Sequence, residues 1–362
     1  MEEAFITGST GFIGTPLLKA LIKETNLSDF KLLVRDKEKA AENLSEIIKI
    51  AESLGKKIEF LKGDITLVNL GLANNELSSL KDIKEVYHLA SNISLSNEEK
   101  DKEAIFNVNI NGTKNILEIF KDSKDLNNFY FFSSAFCCGK TNKLVKEDWL
   151  QKPDNFRNFY EESKWLTESL IKEYIEEKNM PVVILRPSIV AISSKNEFSK
   201  VRNQTFYFYS RILRKAAKMQ NTPSPIRLIG KLTSISNIIT LEDLIKILLE
   251  IRKQKEKKIS YNLVNPSNLS TNSFVKEIQK NLDFEPGFIF LEELNYNTLS
   301  EAERFVYDRT KAYFEYNLDD NSHWDCSNTR EIRGKLNIKE LDNLWIKEHI
   351  KEFFSFLENE RQ

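Results

Sequence analysis

Ala4-Phe5-Ile6 is a short apolar run that enters Thr7-Gly8-Ser9-Thr10-Gly11-Phe12-Ile13-Gly14, and Leu17, Leu18, Leu21 and Ile22 then recur at helical spacing. A strand that turns at once into a helix leaves backbone N–H groups aimed outward at the helix N-terminus, where a phosphate fits. Gly8 serves the tight turn, Gly11 lets a pyrophosphate approach the backbone, and Gly14 lets helix and strand pack closely. The strand before the motif and the helix after it give these glycines their meaning. Thr7 to Gly14 are therefore the first candidate cofactor-binding residues.

Apolar strands alternate with helix-period stretches through the first half. Strands are expected at Phe30–Val34, Ile58–Leu61, Glu85–Leu89, Phe129–Phe132 and Val182–Leu185. Helices are expected at Lys39–Leu54, Ala104–Phe120 and Tyr160–Glu177. This alternation predicts an α/β fold with a Rossmann-type, doubly wound parallel sheet. Its ligand is expected at the carboxyl ends of the strands. After Arg186-Pro187 the pattern changes. Ser188 to Ile239 holds turn clusters, aromatics and a basic amphipathic stretch. Helices follow at Leu241–Ile251, Thr271–Leu282 and Leu344–Leu357, with a strand at Tyr261–Val264. The expected division is residues 1–190 as the NAD(P)-binding domain and 191–362 as a smaller, mostly helical substrate region packed against it. Strands of that region can return to the sheet.

Composition excludes several partners. A net charge of −1 argues against nucleic acid. No apolar stretch approaches the roughly 18 residues of a membrane span. A strand at Ala4 is expected to leave no room for a signal peptide. Cys137, Cys138 and Cys326 show no Cys-x-x-Cys spacing, so neither a disulfide framework nor a metal site is expected, and a cytoplasmic setting fits. With only three histidines, a histidine-based catalytic cluster is not expected.

The second strand ends in Val34-Arg35-Asp36. A carboxylate there accepts from the ribose hydroxyls of NAD, whereas a guanidinium stacks on adenine and pairs with a 2′-phosphate. Arg35 comes first, which favours NADPH over NADH; Asp36 can turn inward instead. Asp64, after the third strand, is placed to accept from the adenine amino group. Leu89, Ala90 and Ser91 end the fourth strand with room for cofactor.

Tyr-x-x-x-Lys puts an ammonium on the same helix face as a phenol, where its charge lowers the phenol pKa. The pattern occurs three times, at Tyr160/Lys164, Tyr174/Lys178 and Tyr307/Lys311. Ser133-Ser134 ends the fifth strand at the active edge, and Tyr160 opens the next helix. Tyr174 lies at that helix's far end and Tyr307 outside the sheet. Only Tyr160 and Lys164 converge with a serine.

With these residues in place the chain resembles an extended short-chain dehydrogenase/reductase. The matching pieces are Thr7-Gly8-x-x-Gly11-Phe12-Ile13-Gly14, Gly63-Asp64, His88-Leu89-Ala90-Ser91, Asn109-Ile110-Asn111-Gly112-Thr113, Ser133-Ser134-Ala135, Tyr160-x-x-x-Lys164 and Arg186-Pro187-Ser188. The resemblance implies Ser134, Tyr160 and Lys164 as catalytic residues. It implies Asn109 as the holder of the helix that positions Lys164, Ile65 among the cofactor-binding residues, and Pro187, Ser188 and Ile189 along the nicotinamide.

Within that family the chain is most similar to thioester reductases and fatty acyl-CoA reductases. Val34-Arg35, Val86-Tyr87-His88-Leu89-Ala90-Ser91, Phe159-Tyr160-Glu161-Glu162-Ser163-Lys164-Trp165 and His323-Trp324-Asp325-Cys326-Ser327-Asn328 carry the likeness. It implies an acyl thioester as substrate, on coenzyme A or on an acyl carrier protein in trans. Phe206, Phe208, Ile212 and Leu213 are expected to line an acyl slot, with Arg211, Arg214, Lys215 and Lys218 toward phosphates or an acidic carrier. A solvated amphipathic helix is the plainer reading of the same stretch. Two rivals share the scaffold: an NAD-dependent nucleotide-sugar epimerase or dehydratase, and a non-enzymatic NADP-binding sensor or scaffold. Family members often form homodimers through the helices at Ala104–Phe120 and Tyr160–Glu177, and stand-alone reductase modules are also monomers.

Overall fold

The computed structural model describes residues 2–193, 198–199, 201, 204–319 and 322–359. Part of the irregular segment expected over Ser188–Ile239, at 194–197, 200 and 202–203, lies outside the described residues.

Seven parallel strands make one sheet: β1 (Glu3–Thr7), β2 (Asp29–Val34), β3 (Lys57–Lys62), β4 (Ile83–His88), β5 (Asn128–Phe132), β6 (Val182–Pro187) and β7 (Ser260–Leu263). Their spatial order is β7-β6-β5-β4-β1-β2-β3. The order reverses between β1 and β4, which opens a crevice at their carboxyl ends. Central strands such as β5 and β6 are buried along most of their length, as a parallel sheet covered on both faces requires. Edge strand β3 is only half-buried. All seven expected strands are present, and β7 is the C-terminal region's contribution to the sheet.

Short turns aside, the helices are α1 (Gly14–Glu24), α2 (Lys37–Asn43), α3 (Ser45–Ser53), α4 (Glu99–Phe106), α5 (Gly112–Phe120), α6 (Phe159–Lys178), α7 (Thr205–Met219), α8 (Leu241–Lys253), α9 (Thr271–Asn281), α10 (Glu301–Thr310), α11 (Ser327–Lys335) and α12 (Asn343–Asn359). α1 buries Leu17, Leu18, Leu21 and Ile22, the stripe its sequence predicts.

Two helices differ from expectation. The one expected over Lys39–Leu54 breaks at Leu44, whose φ of −104° and ψ of 11° turn its fully buried side chain into the core. The one expected over Ala104–Phe120 starts at Glu99 and carries a π turn at Asn107–Asn111. The widened turn leaves the Asn109 carbonyl to accept from Thr113 Oγ1 (2.6 Å) and from Thr167 Oγ1 of α6 (3.2 Å). Such insertions concentrate at functional sites.

The remaining strands form two-stranded pairs. Ile189–Ala191 runs beside Ile238–Thr240, and His323–Trp324 beside Leu144–Val145. One apolar core joins the sheet's α1 side to the C-terminal helices, from Leu17 and Leu32 to Leu248 and Phe353.

Candidate active site

A cleft of about 1430 Å³ runs along the carboxyl ends of the strands. The glycine turn forms one end. Gly8 takes a φ of +73°, and a Cβ there would stand 2.8 Å from the Ala90 backbone nitrogen. Gly14 is tighter still, with a Cβ position 2.0 Å from the Gly8 oxygen. Gly11 differs, because its Cβ position meets only the Gly8 oxygen at 3.2 Å and otherwise faces open space. Arg35 and Asp64 line the same end. The Asp36 carboxylate accepts from Lys39 N (3.0 Å), so it caps α2 and does not turn inward. Asp64 Oδ1 accepts from Thr66 N and Oγ1 (2.9 and 2.8 Å) in a turn of its own.

Beneath the turn, His88 is buried in a polar chain. Ala90 N–H donates to Thr7 Oγ1 (3.2 Å), which lies 2.7 Å from His88 Nδ1. His88 Nε2 lies 2.9 Å from Thr113 Oγ1, which donates to Asn109 O. Each hydroxyl has one proton to give, so the chain closes only with a neutral ring that carries its hydrogen on Nε2. Burial pushes this histidine down to about 3.

Asn109 uses its whole amide. Oδ1 accepts from Asn92 N (2.7 Å) and Ser91 Oγ (2.9 Å), while Nδ2 donates to Asn92 O (2.9 Å) and Ser163 Oγ (2.8 Å). The loop after β4 is thereby tied to α6, one residue before Lys164.

Ser134, Tyr160 and Lys164 meet at the middle of the cleft. Asn158 caps α6 by accepting from Glu161 N (3.0 Å), which sets Tyr160 in the first turn. Lys164 follows one turn later, almost fully buried, and donates to Phe132 O (2.8 Å). Ser134 lies just beyond β5, accepts from Phe136 N (3.2 Å) and lines the cleft together with Tyr160. Burial is the largest influence on Tyr160 and pushes it up to about 12, against the lowering by Lys164 that the sequence led us to expect. The Lys164 ammonium sits 5.8 Å from the centre of that ring, and burial holds it down at about 8.

The other two Tyr-x-x-x-Lys pairs stay out of the cleft. Tyr174 donates to Glu118 on the surface, and Tyr307 packs against Phe314 with ring centres 4.9 Å apart. The acyl-slot residues divide. Phe206 and Phe208 line the cleft, but Ile212 and Leu213 turn into the core. Arg214 donates to Leu357 O (3.2 Å) and Arg211 lies over the Phe353 ring, so these two arginines brace α12 and not a ligand. Their positions on the inner edge of an amphipathic helix explain the difference. Pro187, Ser188 and Ile189 line the cleft, and Ser188 Oγ is buried with no partner.

Several site-building residues escaped the sequence reading. Glu168 accepts from Arg186 Nε (2.9 Å) and Nη2 (2.7 Å), from Ser133 Oγ (2.5 Å) and from Cys137 Sγ (3.3 Å). Its signal was present: it lies one turn beyond Lys164 on the same buried helix face. Glu161 is fully buried, pairs with Arg157 (3.3 Å) and accepts from Tyr316 (2.6 Å). Trp324 donates to Ala135 O (2.8 Å), gripping the turn that follows Ser134. Among the described residues no cluster of side chains is suited to a metal, and no helix is long and apolar enough to cross a membrane.

Strand order, glycine turn and the serine–tyrosine–lysine group define an extended short-chain dehydrogenase/reductase. The chain belongs to the NAD-binding family described as Male sterility protein, whose profile matches residues 6–229. It is 27% identical over 216 residues to a hybrid PKS-NRPS synthetase of Penicillium citrinum, covering 57% of this chain and 5% of that protein. It is 27% identical over 186 residues to a putative fatty acyl-CoA reductase of Drosophila melanogaster, covering 48% of this chain and 35% of that one. The chain thus spans about a third or less of these relatives' lengths. Among solved structures, the terminal R domain of the myxalamid PKS-NRPS pathway matches with a TM-score of 0.74 at 20% identity, covering 99% of this chain and 91% of that one. UDP-glucuronic acid 4-epimerase of Bacillus cereus matches with a TM-score of 0.68 at 20% identity, covering 99% of each chain.

Proposed function

We propose that this NAD(P)-dependent oxidoreductase uses NADPH to reduce an acyl thioester, carried on coenzyme A or a carrier protein, to an aldehyde or alcohol. The observation that carries the reading is the meeting of Ser134, Tyr160 and Lys164 in one cleft with the glycine turn at one end and aromatic rings at the other. The reductases among the relatives support the acyl substrate. The residues fit the cofactor: Gly11 leaves open the space a pyrophosphate needs, and Ser188 Oγ is an unpartnered donor beside the nicotinamide position. Arg35 at the cleft, with Asp36 occupied as a helix cap, supports a 2′-phosphate.

When bound, NADPH supplies the hydride that adds to the thioester carbonyl carbon. Ser134 donates a hydrogen bond to the carbonyl oxygen as negative charge grows there. Tyr160 gives that oxygen its proton. A phenol held up at about 12 is fully protonated at neutral pH, so the donor is loaded before each turnover. Lys164, one turn further along α6, would hold the ribose hydroxyls. The resulting hemithioacetal loses thiol and leaves the aldehyde, with one NADPH and one proton consumed per thiol released.

NADPH absorbance and thiol release, followed together on acyl-CoA and carrier-bound acyl groups, test the reading. Equal loss of NADPH and gain of thiol is expected in the first turnover. A nucleotide sugar isomerised or dehydrated without net NADPH loss, with no thioester reduced, refutes it in favour of the epimerase-type reading.

A further inference from the structure

One carboxylate fastens the His323–Asn328 stretch to the sheet. Glu147 follows the short strand Leu144–Val145, which runs beside His323–Trp324. Its side chain is buried, and each oxygen accepts from the backbone of a different element. Oε1 takes Asn262 N of β7 (2.8 Å), and Oε2 takes Asn328 N in the first turn of α11 (2.6 Å). The two asparagines return the grip. Asn262 Nδ2 donates to Val145 O (3.0 Å) and Asp325 O (2.8 Å), and Asn328 Nδ2 donates to Ser260 O (3.0 Å). Arg186 fixes the backbone that carries the carboxylate, because its Nη1 and Nη2 donate to the carbonyls on either side of Glu147, Lys146 O (3.1 Å) and Asp148 O (2.9 Å). Trp324 belongs to the stretch so held, and its indole N–H reaches Ala135 O (2.8 Å), next to Ser134. Among the described residues that line the cleft, neither Glu147 nor Trp324 occurs.

We propose that Glu147 is a positioning residue: its carboxylate clamps the C-terminal stretch onto β7 and, through Trp324, holds the turn that carries Ser134. The proposal rests on the thioester reading only for the part that reading gives Ser134.

A clamp with two accepting oxygens needs the anion. Protonation makes one oxygen a hydroxyl with a hydrogen of its own to place, so one amide loses its charged acceptor. Burial pushes Glu147 up to about 7 against the pull of the Asn328 and Asn262 amides; the Asp325 charge adds to the rise and Arg186 to the pull. The other titratable or charged groups that face it are Tyr261 of β7 and Cys326 and Arg333 at α11. Burial pushes that phenol and that thiol up, so both stay neutral near pH 7, while the guanidiniums of Arg186 and Arg333 stay charged.

Protein labelled with 15N-asparagine is titrated by NMR between pH 5.5 and 8.5, and kcat and KM are measured over the same range for the parent, Glu147→Gln and Trp324→Phe. In the parent the Asn262 and Asn328 amide signals should shift together with one midpoint near 7. The ratio of parent to Glu147→Gln kcat should climb about tenfold from pH 6 to pH 8, the change in ionised fraction of a group that titrates at about 7. Taking the ratio cancels Lys164, which titrates in both proteins. KM for thioester and for NADPH should stay within about twofold, because neither residue lines the cleft. Trp324→Phe keeps a ring but loses the indole N–H, so its amides should titrate as in the parent while its kcat no longer follows them. Thermal melting checks each fold, and if Glu147→Gln does not fold, the parent and Trp324→Phe decide. Amides that do not shift together overturn the clamp. A kcat ratio flat with pH, or a Trp324→Phe variant whose rate still follows the amides, overturns the route to Ser134. If no thioester is reduced, the functional reading fails, and the amide titration alone upholds or overturns the clamp.

Discussion

Gly11 and Gly14 stand three residues apart in one turn, yet the structure assigns them opposite sensitivities. A Cβ added at Gly11 would meet only the Gly8 oxygen at 3.2 Å, a contact relieved by a shift of a few tenths of an ångström. Gly11 is not in the left-handed region, so Gly11→Ala also loses less chain entropy on folding, a gain of about 0.4–1 kcal/mol. The two effects nearly cancel, and the variant should melt within a few degrees of the parent. Its methyl group, however, fills the open space above the turn where a pyrophosphate comes closest to the backbone. NADPH affinity should therefore fall at least tenfold, about 1.4 kcal/mol. At Gly14 the added Cβ would lie 2.0 Å from the Gly8 oxygen, 2.9 Å from its carbonyl carbon and 3.0 Å from the Ser9 Cα, all backbone. Gly14→Ala should cost several kcal/mol and yield little folded protein. Thermal melting with and without NADPH, together with fluorescence titration, reads both effects. A Gly11→Ala protein that binds NADPH like the parent refutes the placement of the pyrophosphate. One that fails to fold refutes the reading of the turn itself.

Three further outcomes follow from the site. Tyr160→Phe removes the proton donor and should cut turnover by about a hundredfold or more, whereas Tyr174→Phe and Tyr307→Phe should stay near the parent rate; normal turnover in Tyr160→Phe rules out the proton route described above. Arg35→Ala should lose about 1–3 kcal/mol of preference for NADPH over NADH in paired titrations, and a parent protein with no such preference removes the basis for it. The third concerns pH. His88 is held at about 3 in the folded protein, against 6.5 for a free imidazole. The unfolded chain takes up a proton first, so this contribution is full above pH 6.5 and is lost as pH falls toward 3. Between pH 7.5 and 5 it amounts to about 2 kcal/mol. His349, pushed down to about 4 by burial, adds in the same direction, while Glu147, pushed up to about 7, opposes it. His88→Asn should show a flatter loss of denaturant stability over that interval; an unchanged slope would show that His88 is not what titrates.

The sheet was legible because its signals are local. Each strand is a short apolar run followed by a turn, and the order of the family's motifs fixed which turns face the cleft. Tyr160 could be told from Tyr174 and Tyr307 for the same reason, since a serine-ended strand precedes it by a couple of dozen residues. What the residues concealed depends on distant partners. The helix over Lys39–Leu54 has unbroken apolar spacing, and only the core's claim on Leu44 divides it. The π turn at Asn109 answers to Thr113 and Thr167, a demand visible only when α6 lies alongside. The Tyr160 pKa illustrates the same limit. Spacing places Lys164 near the phenol, but the desolvation that dominates comes from the walls of a cleft assembled from both halves of the chain.

The C-terminal region does more to the cleft around Ser134 and Tyr160 than cover it. Trp324 grips Ala135, and its ring meets Phe136 edge-on at 5.5 Å; Phe136 meets Tyr316 in the same way at 5.5 Å. Tyr316 in turn donates to Glu161 and accepts from Asn158 Nδ2 (2.9 Å), the residue that caps α6. A continuous line of contacts thus runs from the turn after Ser134, through residues of the C-terminal region, to the first turn of the helix that carries Tyr160. On the opposite side Glu168 ties Ser133 and Cys137 to Arg186, whose guanidinium also reaches Lys146 O and Asp148 O. Ser134 and Tyr160 come from different elements, and neither β5 nor α6 fixes their separation by itself. Bracing from both sides does. On the proposed mechanism the hydroxyl and the phenol share one substrate oxygen and need that separation held to a fraction of an ångström, because a misplacement of about 1 Å can cost a hundredfold in rate. Trp324, from the His323-Trp324-Asp325 stretch near the C-terminus, is therefore part of what holds Ser134 and Tyr160 in register, and on the proposed mechanism it would set catalytic geometry without touching the reacting atoms.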